Sequence, residues 1–318
     1  MNKEIVYSFV IPHHNTPDLL LRLIDSIPQR EDIEIIVVDD NSDDGKKANI
    51  SRSDVRAIYI DKEHTRGAGR ARNVGMDAAI GKWLLFADAD DLYKPNFIDV
   101  LDRYKNDDID ILFFNVDSVD SVTLKPGPNR ARLVQRIIDG YDGSKERIDD
   151  LLYGSWGPWR KMLSSSFVKL HGFRYEEVPV GNDVFFAFQT AYFAKRYKVE
   201  HTCLYTLTYL KGSISFGAIY KNKYVSNLIS LKRRAKFYEY IGHSDWNKKS
   251  IRGSYAQSCM KYIIHIIKRQ PITGVLALFY YMSHLLEIGR KSTYYVDVVQ
   301  DIQRKMACRD ILIKSATK

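Results

Sequence analysis

Short apolar runs alternate with stretches of helical spacing along the chain up to Asn115. Tyr7 to Ile11 is an apolar run of strand length, Asp18 to Ile27 places leucines and isoleucines at helical spacing, and Glu34 to Val38 is a second short run ending in Asp39 and Asp40. This pattern predicts a βαβ unit. Val55 to Ile60 predicts a third strand, Gly69 to Ile80 a helix closed by Gly81, and Lys82 to Phe86 a fourth strand that runs into acidic residues. Pro95 suits the first position of a helix through Tyr104, and Ile109 to Asn115 supplies a fifth strand. The expected class is therefore α/β, a mixed, mostly parallel Rossmann-like sheet flanked by helices. Ligands in such sheets lie beyond the carboxyl ends of the strands. Asp39, Asp40 and Asp88 to Asp91 fall there, so these acids are expected to converge.

Beyond Val116 the pattern weakens. Lys125 to Asn129 predicts a Pro and Gly turn, while Ser144 to Tyr153 and Asn182 to Lys195 predict helices. From Ile219 onward nearly every segment has amphipathic helical spacing, with Leu228, Leu231, Ala235 and Tyr238 on one stripe. We therefore divide the chain into residues 1–215, with a binding half at 1–115 and an acceptor half at 116–215, and a basic helical extension at 216–318.

Composition changes this picture little, but charge does. Hydrophobic residues make up 45% and charged residues 27% of the 318, ordinary values for a globular chain. The net charge of +9 is concentrated in the second half, in segments such as Lys221 to Lys236 and Lys261 to Arg269. Such a face suits nucleic acid, anionic lipid or a phosphorylated substrate, and charge alone does not separate these. No nucleic-acid motif accompanies it, and an acidic cleft would repel a phosphate backbone, so no nucleic-acid partner is expected. Cys203, Cys259 and Cys308 form no CxxC pair and predict reduced thiols. Met1 to Ser8 lacks the pattern of a secretory signal, and Ile272 to Leu286 falls short of the roughly 20 apolar residues of a membrane span. The expectation is a cytoplasmic protein, peripheral on the cytoplasmic face of the inner membrane, with homo-oligomerisation left open.

Three segments carry candidate chemistry. Leu84 to Asp91 (LLFADADD) ends a buried strand in Asp88, Asp90 and Asp91, where carboxylates are costly unless a cation or hydrogen bonds compensate them. Oxygen ligands of this kind suit Mn2+ or Mg2+ bridging a diphosphate, and solvated acids at a helix start explain the segment equally. Val37 to Ser42 (VVDDNS) offers an aspartate to a base imide, or an Asx turn. Arg66 to Asn73 (RGAGRARN) puts glycines and arginines at a helix entrance, suited to a diphosphate or to a plain turn. GxGxxG and GxxxxGK[ST] are both absent.

In this order, FVIPHHN at Phe9 to Asn15, VVDDNS, and GAGRARNVGMDAAIGKWLLFADADD resemble the family-2 class of inverting glycosyltransferases with the GT-A fold, the class that builds bacterial capsule, O-antigen and lipopolysaccharide-type glycans. The resemblance implies a nucleotide-sugar donor, a UDP sugar by preference. It further implies that Pro12, His14, Asn15 and Asp40 surround the nucleotide, that Arg66 or Arg72 assists the donor, and that Asp88, Ala89 and Asp90 form the DXD motif. Asp90, with Asp88, is then the metal ligand. Gly157 to Leu163 followed by Gly172 to Tyr175 and Val180 to Phe186 resembles the block that bears the family's ED motif. Here the motif reads Asn182-Asp183, so asparagine replaces glutamate while the aspartate implied as catalytic base is kept. Asp183 also stands where a helix cap would.

Lys211 to Ser215 (KGSIS) resembles the segment that folds over the donor, which places Lys211 with the donor residues; a Gly-Ser turn is the alternative. Trp156 and Trp159 suit an acceptor-sugar platform or a buried core, and Asn182 joins them on the acceptor side. No QxxRW motif occurs, so a single sugar per encounter is expected, moved to a glycan or lipid-linked oligosaccharide. The basic C-terminal helices would then rest on an anionic membrane. The alternatives are a catalytically inactive donor-binding relative and a nucleotidyltransferase, the latter lacking its glycine-rich signature.

Overall fold

The computed structural model describes residues 4–64, 67–178 and 181–209. Strands β1 (Tyr7–His13), β2 (Ile33–Asp40), β3 (Val55–Ile60) and β4 (Trp83–Phe86) pair in parallel in the spatial order β3-β2-β1-β4. Helices α1 (Pro17–Asp25) and α2 (Ala68–Ala78) make the crossovers. This is the predicted βαβ arrangement, and β3 has the predicted bounds.

The remaining strands turn the sheet mixed. Beyond β4 lie β7 (Lys161–Ser164), β6 (Ile111–Asp120), β8 (Tyr197–Tyr209) and β5 (Leu92–Tyr93), in that order across an eight-stranded sheet. β7 runs antiparallel to both β4 and β6, β6 and β8 are parallel, and β5 is antiparallel to β8. The outer layer adds α3 (Phe97–Asp102), α4 (Arg132–Asp139), α5 (Lys145–Tyr153), α6 (Ser165–His171) and α7 (Val184–Phe193).

Local sequence explains most of these bounds. Pro17 opens α1, where its missing amide costs no hydrogen bond, and Leu20, Leu23 and Ile24 form its buried stripe. Fully burying each such side chain contributes about 1.5–3 kcal/mol. α2 lies close against the sheet because Gly75 has no side chain: a Cβ there would stand 2.4 Å from Val10 Cγ1. Two expected details differ. Gly81 does not cap α2; it presses on Ser8, donating its amide to Ser8 Oγ at 2.8 Å. Pro95 does not begin α3, because the left-handed Asn96 intervenes and the helix starts at Phe97. The residues of the predicted C-terminal helices, and Arg66 and Lys211, lie outside the described residues. Contacts divide the chain into two units, Met1–Phe216 and Gly217–Lys318. Among the described residues no helix is long and apolar enough to cross a membrane.

Candidate active site

The parallel register sets His13 beside Asp39 at the carboxyl ends of β1 and β2. His13 Nδ1 donates to Asp39 Oδ2 at 2.8 Å, and His13 Nε2 accepts from the Thr16 amide at 3.1 Å. Asp39 Oδ1 accepts from the Ser42 amide at 2.7 Å. Against the cost of burial, these donors hold the Asp39 carboxyl below the usual aspartate range. Asp39 and His13 thus act as an internal brace for two loops.

Asp40 differs. Its Oδ2 accepts from the Gly67 amide at 2.9 Å, whereas its buried Oδ1 has no hydrogen-bond partner among the described residues. A buried carboxylate oxygen left without a donor is costly, so this atom is poised to accept from a ligand N–H. Around it, His14 Nδ1 donates to the Asp40 carbonyl at 3.1 Å and Asn15 exchanges two side-chain bonds with Asp43. Asn15 and Asn41 both take left-handed backbone conformations, which asparagine tolerates better than most residues. Pro12 is the half-buried β1 residue opposite Val38.

The arginines of the α2 segment do not converge on one ligand. Arg70 points outward to Glu177 at 3.4 Å. Arg72 points inward and is buried: one guanidinium nitrogen donates to Asp88 Oδ1 at 2.6 Å and the other to Asn182 Oδ1 at 2.8 Å. Tyr175 lies under the guanidinium, 5.3 Å from it. Burial opposes its charge, but Asp88 and its neighbours win and raise its pKa. Of the glycines, Gly69 serves close packing, and Gly67 donates its amide to Asp40. A Cβ on Gly69 would stand 2.0 Å from the Glu176 carbonyl oxygen, so α2 meets residues 175–182 only because that position is glycine.

The acidic loop leaves β4 at Phe86. Its third carboxylate, Asp91, is buried and structural, accepting from Tyr205 Oη at 3.0 Å and from the Thr208 amide at 2.7 Å. Tyr205 Oη in turn accepts the Asp88 amide at 3.0 Å. Arg22 of α1 and Thr208 Oγ1 both donate to the Asp90 carbonyl, at 2.9 and 2.6 Å. The loop is thereby fixed from both sides. Ala89 is buried between the half-buried Asp88 and Asp90. Burial, then the nearby Asp88 charge, raises the pKa of the Asp90 carboxyl, with Arg130, its own backbone amide and Arg22 opposing.

Asp183 precedes α7 but makes no side-chain cap bond, which removes the helix-cap explanation. Burial, offset by Arg72 and reinforced by Asp88, raises its pKa to about 6. Asn182, expected on the acceptor side, instead uses its side-chain oxygen to hold Arg72. Trp159 stacks parallel to Tyr205, its ring 6.1 Å away, and a Cβ on Gly157 would collide with that indole at 2.5 Å. Trp159 therefore stands over the loop that carries Asp88. Trp156 is half-buried just before it.

Several contributors gave no local signal. Arg22 sits in an ordinary amphipathic helix, and Tyr205 and Thr208 sit in a strand far along the chain. Lys161 is buried on β7, where burial, then Arg160, pushes its pKa well down while Asp183 pulls it up. Only the strand order reveals these residues as neighbours of the site.

Comparison with known proteins supplies the family. Residues 8–165 match the sequence model described as Glycosyl transferase family 2. The succinoglycan biosynthesis protein ExoO of Rhizobium meliloti is 28% identical over 220 residues, covering 65% of this chain and 62% of that protein. Glycosyltransferase GlyG of Streptococcus pneumoniae is 31% identical over 122 residues, 36% of this chain and 40% of that one. Among solved structures, S. aureus TarS 1-349 in complex with UDP superposes with a TM-score of 0.51 at 17% identity, covering 71% of this chain and 64% of TarS 1-349. The same protein in complex with UDP-GlcNAc gives 0.51 at 18% identity. The chain spans less than two thirds of each of these relatives' lengths, 62% and 40% for the two sequence relatives. TarS at this identity shows the fold, a GT-A sheet. Residues 8–165, on a GT-A sheet, therefore form a glycosyltransferase family 2 domain.

Proposed function

We propose that this protein transfers a sugar from a nucleotide diphosphate donor, a UDP sugar by preference, to a hydroxyl of a lipid-linked glycan in polysaccharide biosynthesis, with inversion at the anomeric carbon. The observation that carries this reading is the Arg72 fork. It joins Asp88 of the acidic loop to Asn182, the neighbour of Asp183, so donor acids and base belong to one hydrogen-bonded unit.

In this reading the Oδ1 of Asp40, without a hydrogen-bond partner among the described residues, accepts the base N–H, as uracil N3–H would offer. Asp90 and Asp88 are the residues to hold Mn2+ or Mg2+. Among the described residues no third His, Cys, Asp or Glu completes a protein-only cluster, so two carboxylates with open positions fit a hard cation shared with a diphosphate. Such an ion supplies neutralisation of the departing nucleotide diphosphate.

Asp183 removes the acceptor hydroxyl proton. The freed oxygen attacks the anomeric carbon, and the bond to the diphosphate oxygen breaks on the opposite face, its electrons leaving with the nucleotide. A carboxyl with a pKa of about 6 is a stronger base than ordinary aspartate yet still ionised at neutral pH. Trp159, held flat by Tyr205 and Gly157, offers an indole face to a sugar.

A thermal-shift panel of UDP, GDP, CDP and dTDP, each with and without Mn2+, identifies the nucleotide. Release of that nucleotide from the matching sugar donor is then followed for the wild type and Asp183→Asn. A metal-dependent shift with release lost in the variant supports transfer. A shift without release in either protein supports the donor-binding, inactive reading that Asn182 in place of glutamate suggests. No shift with any nucleotide contradicts both.

A further inference from the structure

β6 ends in the sheet with Asp120 opposite Tyr209 of β8. Its last residue, Asp120, starts a tight hairpin in which the Asp120 amide donates to the Lys125 carbonyl at 2.9 Å and the Leu124 amide donates to the Asp120 carbonyl at 2.9 Å. The hairpin is rooted beside the acidic loop. Arg22 donates both to the Ser121 carbonyl, at 2.6 Å, and to the Asp90 carbonyl, at 2.9 Å, and the Ser121 amide donates to Tyr209 at 2.9 Å. Its base is therefore rigid and fixed relative to Asp90.

The tip presents aliphatic side chains to solvent. Val122 is 80% exposed and Leu124 is 47% exposed. Leu124 has φ of 56°, the left-handed region that costs a leucine strain and that glycine or asparagine enters more easily. Turn stability does not account for a leucine at that position. Behind the tip the charge is mostly positive: Ser121 to Ile138 contains Lys125, Arg130, Arg132 and Arg136, while Asp120 at the hairpin root has its carboxylate taken up by the Val122 and Thr123 amides and the Thr123 hydroxyl. Lys125 and Arg132 are exposed.

We infer that the Ser121–Pro126 hairpin is a docking element for an anionic bilayer surface, Val122 and Leu124 entering the interface while Lys125 and Arg132 meet lipid headgroup charge. Apolar side chains at a tip with cations behind them are the arrangement by which peripheral proteins seat on such surfaces. An acidic protein partner would answer the cations but leave two convex aliphatic side chains without a pocket; a bilayer accepts a convex apolar tip without one. The Arg22 link makes the consequence specific, since docking here holds the acidic loop at the membrane, where a lipid-linked acceptor resides. That purpose rests on the proposed acceptor, but the binding itself does not.

The test uses the full chain and sedimentation with vesicles of phosphatidylcholine alone or mixed with phosphatidylglycerol, at low and high salt. The wild type is expected to bind the anionic vesicles in a salt-sensitive manner and to bind neutral ones weakly. Val122→Asp/Leu124→Asp is expected to lower affinity at least about tenfold, the scale of losing one buried aliphatic contact. Its thermal melt and its stabilisation by UDP and Mn2+ should match the wild type, because the tip touches neither core nor donor residues. Val122→Trp should show tryptophan quenching by bromine-labelled lipid beyond that of the wild type. Unchanged affinity in the double variant, equal binding to neutral vesicles, or no added quenching would each overturn the assignment. Loss of UDP stabilisation in the wild type would count against the transfer reading and leave the vesicle result to be judged separately.

Discussion

Asp183 shows how one residue couples chemistry to stability. Its carboxyl is pushed up to about 6 by burial, with Arg72 opposing and Asp88 adding to the shift. A base must be ionised, so turnover is expected to fall about tenfold per pH unit below that value and to level off above it. The stability sign is opposite. The folded state binds this proton more tightly than the unfolded chain, so the group favours folding at low pH and that contribution is lost as pH rises through about 6. Asp183→Asn is therefore expected to lose at least about 100-fold in turnover, within the range for a general base. It should keep nucleotide affinity and melt higher than the wild type at pH 7.5, with the difference vanishing near pH 4. Rate profiles and melting curves of the two proteins across pH check this; a variant that is less stable at pH 7.5 would contradict the assigned environment.

The acidic loop behaves as one element because neighbouring elements complete its hydrogen bonds. Tyr205 accepts the Asp88 amide and donates to Asp91, so Tyr205→Phe leaves a donor and an acceptor without their partner. The expected cost is about 1–3 kcal/mol in denaturant unfolding, together with weaker nucleotide binding, since the loop that carries Asp88 and Asp90 loosens. α2 offers a second test. Gly69→Ala forces a Cβ to 2.0 Å from the Glu176 carbonyl, whereas Gly143→Ala meets no atom and strains only a left-handed turn. Gly143→Ala is thus expected to cost about 1 kcal/mol and Gly69→Ala clearly more, with loss of nucleotide binding as Arg72 parts from Asn182.

At this scale the limits of the sequence become physical. α2 was legible from its spacing, but the close packing at Gly69 and Gly75 was not, because an absent side chain leaves no pattern that says what fills its place. β5 has two residues and β7 four, too short for any periodicity to register. α4 carries an apolar stripe at Val134, Ile137 and Ile138, yet it follows a Pro and Gly turn in a segment where the alternation had already weakened.

Across the whole molecule, the elements of the parallel half were legible from their apolar runs, although β4 pairs with β1 across two intervening strands, a neighbour that the order along the chain does not give. The order of the mixed half was not legible either. β7 inserts between β4 and β6, and β8 brings Tyr205 and Thr208 to the acidic loop from more than a hundred residues away, 117 for the bond between Thr208 and Asp91. The acids Asp40, Asp88, Asp90 and Asp183 could be picked out from motifs as candidates, whereas Arg22, Tyr205 and Thr208, which hydrogen-bond the acidic loop, gave no local signal. The central claim is that these acids form a single metal-assisted donor site. The most direct measurement is a calorimetric titration of UDP with Mn2+ into the wild type, Asp90→Ala and Asp183→Asn. Saturable binding that requires Mn2+, is lost in Asp90→Ala and is retained in Asp183→Asn is the predicted result; binding indifferent to Mn2+ and to Asp90→Ala would contradict it.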